Sequence, residues 1–151
     1  MMELGDLSAL KGLSIDKGSV FKMTLFPSDG VKPKKEEDIS RDKYFVVLGK
    51  DNNSIIVGAV LINSDINYNL LLRIAPFQIS LEPEEYEFLQ GKRRFLDCYR
   101  IKKIPFERIL NDAEFIGAVS DDIIERAIQL VNHSDVNSTK DLKQFGICLR
   151  N

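Results

Sequence analysis

Two apolar runs on either side of a short turn constrain this chain more than any other feature. Lys43–Lys50 (KYFVVLGK) and Ser54–Asn63 (SIIVGAVLIN) are rich in β-branched and aromatic residues, and Asp51-Asn52-Asn53 lies between them. Runs of this length, so closely connected, predict an antiparallel hairpin. Neither run alternates cleanly between apolar and polar positions. Both faces of the pair must therefore be covered by the rest of the chain.

Three further segments read as strands: Ser19–Phe26, Pro76–Leu81 and Arg94–Ile104. The first ends in the turn formers Pro27-Ser28-Asp29-Gly30, and a polar loop follows over 31–42 (VKPKKEEDISRD). Segment 65–74 is ambiguous and has room for one helical turn. Glu82-Pro83-Glu84-Glu85 opens a short helix, because proline suits its first position and acids suit its positive end. Tyr86, Phe88 and Leu89 are its apolar contacts, and Gly91 ends it. Pro105–Asn111 reads as a further helical turn and Phe115–Val119 as a brief strand or link. The one strong helix signal comes late. Ser120 is a good N-cap, Asp121 and Asp122 suit the first turn, and Ile123, Ile124, Ala127, Ile128, Leu130 and Val131 recur at helical spacing. The remainder, 134–151, is polar until Phe145–Leu149.

Five short strands, one short helix and a closing amphipathic helix predict an α+β, mainly β fold. The compact form is a small SH3-like barrel, its strands belonging to one strongly curved antiparallel sheet. With 151 residues the chain is the size of one domain. We divide it into a peripheral segment 1–17, a barrel with its helix over 17–133, and a tail over 134–151.

Composition excludes several classes. Hydrophobic residues make up 44% and charged residues 29%, which rules out collagen-like, coiled-coil and mostly disordered chains. No apolar run approaches the ~20 residues of a membrane helix. The opening MMELGDLSALKG lacks the pattern of a secretory signal, so the expected location is the cytoplasm and no membrane is expected as partner. Twenty-one basic against 23 acidic residues give a net charge of −2, which leaves only a local patch for nucleic acid. Cys98, Cys148 and His133 make neither a zinc set nor a His-based triad, so no metal or other cofactor is expected.

The local patch lies in 92–103. Lys92, Arg93, Arg94, Arg100, Lys102 and Lys103 face a single acid, Asp97. Such a stripe suits an RNA backbone, with Tyr99 or Phe95 as a stacking surface; it equally suits an edge strand protected by charge. Strict alternation puts Phe95, Asp97, Tyr99 and Ile101 on one face, and Arg94, Leu96, Cys98, Arg100 and Lys102 on the other. Asp97 reads either as a general acid or base or as the ion-pair partner of its neighbours. Asn63-Ser64-Asp65 reads as a phosphate contact or as a strand-ending turn. Arg41 and Lys43 leave the polar loop as a phosphate clamp or as solvated charges. Cys98 reads as a small buried residue rather than a reactive thiol.

The same segments resemble the PemK/MazF-like toxins of bacterial toxin–antitoxin pairs. The resemblance runs over 17–133. Lys17-Gly18-Ser19-Val20-Phe21 is similar to the family's opening strand, and Asp42–Leu48 to its Arg-Pro-hydrophobic strand. Val60–Ser64 is similar to a strand ending in Thr-Thr or Thr-Ser, and Phe95-Leu96-Asp97-Cys98 to the strand whose Asp follows an Arg. Here Lys43-Tyr44 stands for Arg-Pro, Asn63 for Thr, and the arginine is Arg94 or Arg93.

The resemblance implies an SH3-like barrel that dimerises and cuts single-stranded RNA without a metal ion, with an antitoxin as protein partner. It puts Asp97, Arg94, Lys43 and Ser64 at the reacting phosphate. Arg41, Asn63, Lys92, Arg93, Arg100 and Lys102 then hold the RNA. The chain is expected to be such an endoribonuclease or a weakened relative. The rival expectation is a non-enzymatic SH3-like module that binds a protein segment of a toxin–antitoxin-type complex. The enzyme needs Lys43, Ser64, Arg94 and Asp97 in one open groove, whereas the module tolerates their dispersal but needs an exposed apolar trough.

Overall fold

The computed structural model describes residues 15–26, 41–64 and 71–151. Among these the chain forms six strands: β1 (Ser19–Leu25), β2 (Arg41–Lys50), β3 (Ile56–Asn63), β4 (Gln78–Leu81), β5 (Arg94–Pro105) and β6 (Glu114–Ala118). They make one sheet in the order β4-β5-β3-β2-β1-β6, every neighbouring pair antiparallel. Four short helices join it: α1 (Leu71–Ile74), α2 (Phe106–Asp112), α3 (Asp121–His133) and α4 (Thr139–Gln144). The fold is α+β, mainly β, with the sheet curled into a half-barrel. The five expected strands all lie in it. The turn at 27–30, most of the polar loop and segment 65–70 fall outside the described residues. No helix among the described residues is long and apolar enough to cross a membrane.

The expected hairpin is β2 and β3, with Val46 opposite Val60 and Phe45 opposite Leu61. Asp51 builds its turn: the carboxylate accepts from Ile55 N at 2.7 Å and the carbonyl accepts from Ser54 N at 3.0 Å. Ser54 takes a left-handed conformation (φ 55°), so β3 starts at Ile56, two residues later than the apolar run suggests.

Both faces of the hairpin are covered. On one, Val46, Leu48, Val60, Ile62, Leu96 and Cys98 pack against Ile123, Ile124, Ala127 and Val131 of α3. On the other, Phe45, Val47, Val57, Ala59, Leu61 and Ile104 pack with Phe21, Met23 and Ile109 of α2. Each fully buried side chain of this kind contributes about 1.5–3 kcal/mol, so the double coverage explains the unbroken apolar runs. Helix α3 starts as its sequence predicts, the Ser120 hydroxyl accepting from Ile123 N at 3.3 Å.

Two segments differ from expectation. The residues after Pro83 form only a 3₁₀ turn, Glu87–Leu89, ended by left-handed Gln90 and Gly91. This segment reaches from the β4–β5 end of the sheet towards β6, where Phe88 lies over Gly117 and the Tyr86 hydroxyl accepts from Ser120 N at 3.1 Å. The tail is also more than a polar extension. Ser138 caps α4, and Leu142, Phe145 and Ile147 are buried against the sheet. Phe145 fits because Gly49 and Gly58 stand opposite each other beneath it. A β-carbon at Gly58 would come within 2.6 Å of the Phe145 ring, and one at Gly49 would run into the Phe145 carbonyl oxygen.

Candidate functional site

The site is set by an irregularity in β5. Along β3, Ala59 faces Lys102 and Leu61 faces Asp97, so Cys98–Ile101 bulge against Val60 alone. A bulge of this kind leaves backbone groups that the ladder cannot satisfy. Asn137, in the turn between α3 and α4, takes them. Its side-chain oxygen accepts from Ile101 N at 2.9 Å, and its amide donates to Tyr99 O at 3.2 Å and to Val131 O at 2.9 Å. The Ser134 hydroxyl donates to Tyr99 O at 2.6 Å.

The bulge changes which side chains share a face. Before it the expected alternation holds, with Asp97 on the α2 face and Leu96 and Cys98 in the α3 core. After it the parity is reversed. Lys102 stands opposite Ala59, on the α2 face with Asp97, rather than beside Arg94 as strict alternation predicted.

A polar strip therefore crosses the α2 face over four strands. Lys43 of β2, with only 6% of its surface exposed, donates through Nζ to the Asn63 side-chain oxygen of β3. Asn63 faces Phe95, which makes it a diagonal neighbour of Asp97 across β3 and β5. The Asp97 carboxylate accepts from Gln78 Nε2 of β4 at 2.9 Å and from Tyr99 N at 3.0 Å. Burial, first, and the charge of Arg100, second, hold the Lys102 amine below the ordinary lysine range, while Asp97 pulls it the other way.

The structure puts Lys43, Asn63, Asp97 and Lys102 on one sheet face, with Lys43 and Asn63 at one end, Lys102 opposite Ala59 at the other and Asp97 between them, and leaves the other expected residues elsewhere. Arg94 faces Leu81 across β4 and lies on the α3 face, its guanidinium carbon 4.9 Å from the centre of the Tyr44 ring. Ser64 is exposed just beyond β3. Arg41 opens β2 opposite Leu25, and its side chain lies outside the description. Arg93 pairs with Glu82 at 3.0 Å and Lys103 with Asp141 at 2.7 Å. That pairing holds the Asp141 carboxyl below its ordinary value, the Lys103 hydrogen bond being the largest cause. Lys92 and Arg100 are exposed. Two of the six cations of the 92–103 stripe, Arg93 and Lys103, are thus held in ion pairs within the chain. Strand β4 pairs only with Arg94–Asp97, so β5 is an interior strand there, while Arg100, Lys102 and Lys103 lie on the stretch beyond it that β4 does not cover.

Gln78 was not singled out from the sequence. The alternation in Gln-Ile-Ser-Leu, with Ile79 and Leu81 buried, was the signal that puts Gln78 on the polar side. Asn137 carried no such signal.

Cys98 is fully buried, and burial reinforced by the charge of Asp97 pushes its thiol far above the ordinary range. Cys148 is partly exposed. A thiol-alkylating reagent at mild alkaline pH should therefore modify Cys148 in the native protein and Cys98 only after denaturation, read by mass spectrometry. Rapid native labelling of Cys98 would contradict its burial. His133, in the last turn of α3, is exposed. No protein-family model matches the chain, and no curated protein matches it.

Proposed function

We propose that the chain is a PemK/MazF-like endoribonuclease with an SH3-like barrel, cutting single-stranded RNA without a metal ion through the strip on the α2 face. The carrying observation is Asp97, oriented by Gln78 and Tyr99 N, on one sheet face with the Lys43–Asn63 pair and Lys102.

Cleavage through the ribose 2′-hydroxyl needs a base for its proton, a donor for the leaving 5′-oxygen, and positive charge at the phosphate. Asp97 takes the 2′-hydroxyl proton as the 2′-oxygen bonds to phosphorus. The bond from phosphorus to the 5′-oxygen breaks, and Lys102 gives that oxygen a proton. A lysine whose amine is held below its ordinary range is a better acid for this step than a solvated one. Lys43, fixed by Asn63, supplies charge to the phosphate. The products carry a 2′,3′-cyclic phosphate and a 5′-hydroxyl. In this scheme Asp97 keeps the place that the resemblance gave it, and Lys102 acts beside it in place of Arg94.

A cytoplasmic homodimer partnered by an antitoxin belongs to this reading. Only its dimer has an observation beside it: β4 and β6 are the two outer strands of the sheet among the described residues.

The test is purified protein with end-labelled single-stranded RNA in excess EDTA. The expected result is cleavage leaving cyclic-phosphate ends. A second reading, the non-enzymatic protein-binding module, is favoured by the separation of Arg94 from Asp97. It is also favoured by a trough of about 670 Å³ lined by Leu130, Leu149, Gln129, Asn132, His133 and Arg150. RNA left intact in EDTA and in magnesium would make that module the better reading.

A further inference from the structure

The bulge that turns Lys102 onto the face of Asp97 is held by Asn137, and the turn that carries Asn137 is held in its own right. Arg150 commits its whole guanidinium to that turn. Its Nε and Nη2 donate to Asn132 O at 3.1 and 2.7 Å, and Nη2 also to Ser134 O at 3.1 Å. Its Nη1 donates to Asn137 O at 2.8 Å and to the Thr139 hydroxyl at 3.2 Å. A helix leaves its last carbonyls without intrahelical partners, and positive charge is favourable there. Charge alone would not need this fork. The fixed donors of a planar guanidinium also set the spacing of the carbonyls they meet.

Asn132 brings Arg150 to this place. Its side-chain amide donates to Ile128 O at 2.8 Å and to Ile147 O at 2.9 Å, and its side-chain oxygen accepts from Leu149 N at 2.7 Å. Residues 147–150 are therefore a strap along the last turn of α3, anchored by buried Ile147. Arg150 holds the carbonyls of Ser134 and Asn137, and the side chains of the same two residues meet Tyr99 O and Ile101 N in the bulge. The strap takes their backbone and β5 takes their side chains.

We infer that Arg150 is a positioning residue for the site on the α2 face: it fixes the backbone of the α3–α4 turn, the turn fixes Asn137, and Asn137 fixes the bulge that sets Lys102 on the face of Asp97. The role in cleavage rests on the RNA reading above, whereas the hold on the bulge does not.

The test is amide hydrogen exchange on the full chain, beside RNA cleavage. Arg150→Gln keeps a polar side chain but not the fork. The Ile101 amide should then exchange about ten- to a hundredfold faster, while the amides of the β2–β3 pair keep their protection. For RNA, kcat should fall about tenfold or more at unchanged KM, because the proton donor leaves its place. In a Lys102→Gln background the same substitution should cost little further, since the residue it acts through is already gone. Arg150→Lys keeps a cation at the end of α3 without the spaced donors, and should recover little of either effect.

Wild-type exchange at Ile101 in Arg150→Gln would overturn the hold on the bulge. An equal rise at every amide would do the same, since it marks a loss of stability alone. Full recovery in Arg150→Lys would reduce the fork to charge at a helix end and end the proposal. If Arg150→Gln does not fold, Arg150→Lys is read in its place: loosening confined to Ile101 upholds the hold, and wild-type exchange there refutes it. Fast exchange at Ile101 with wild-type kcat would remove Arg150 from the reaction, as would a further loss of about tenfold in the Lys102→Gln background. A wild type that cuts no RNA overturns the RNA reading, and Ile101 exchange then decides the hold on the bulge without it.

Discussion

Asp97→Asn should slow RNA cleavage by about 10²–10⁴-fold, the usual worth of general acid–base help, while single-stranded RNA still binds. The substitution isolates the proton. An asparagine oxygen can still accept from Gln78 Nε2 and Tyr99 N, the two donors now on the Asp97 carboxylate, so the start of the β5 bulge keeps its anchor. What disappears is the group that receives the 2′-hydroxyl proton. Lys102 gives the complementary measurement. Because it must be protonated to donate, the rate falls as pH rises through its amine, and that limb lies below the ordinary lysine range. Lys102→Arg, which stays charged at every accessible pH, should remove the limb from the profile. Single-turnover cleavage against pH reads both effects. A wild-type rate in Asp97→Asn would remove Asp97 from the chemistry and with it the proposed site.

The legible part of this fold is the part held by neighbours close in sequence. The β2–β3 pair could be read because its turn residues are local and because apolar residues on both faces leave few alternatives. Helix α3 could be read because Ser120 and its two aspartates announce the first turn. Lys43 was singled out at the exit of the polar loop, Asn63 at a strand end and Asp97 as the one acid of a basic stripe, and the sheet puts those three on one face. Lys102 was misplaced for a specific reason. Alternation is a property of a regular strand, and nothing in RFLDCYRIKKI marks where regularity fails. The residue that permits the bulge lies 36 positions beyond Ile101. Arg94 was placed at the site by the family resemblance, although the alternation along β5 already put it on the face opposite Asp97, and there it lies. Phe145 looked like the end of a polar tail because its seat is made by two distant glycines. For Lys102 and Phe145 the deciding contact is long-range.

The bulge itself gives the second large effect. Asn137→Ala should destabilise the protein by about 3–5 kcal/mol, because two buried backbone groups lose their only side-chain partner and a third keeps one of two. Ile101 N and Val131 O are left without the amide, whereas Tyr99 O retains the Ser134 hydroxyl. Asn137 is 4% exposed, so water cannot replace it without opening the turn between α3 and α4. Asn137→Asp tests the same point without a cavity. It keeps the acceptor for Ile101 N but turns a carboxylate oxygen towards two carbonyls, and it should cost as much. Ser134→Ala removes one hydrogen bond of several and should cost only about 1 kcal/mol. At this chain length each kcal/mol lowers the melting temperature by roughly 2–4 °C, so Asn137→Ala should melt about 6–20 °C below wild type. The loss of activity should exceed the loss of folded protein, since relaxing the bulge restores strict alternation and turns Lys102 away from Asp97. Urea unfolding beside cleavage at a temperature where the variant is fully folded separates the two. An Asn137→Ala variant within 1 kcal/mol of wild type would mean that strand pairing alone holds the bulge, and that Asp97 and Lys102 owe their shared face to the ladder rather than to this side chain.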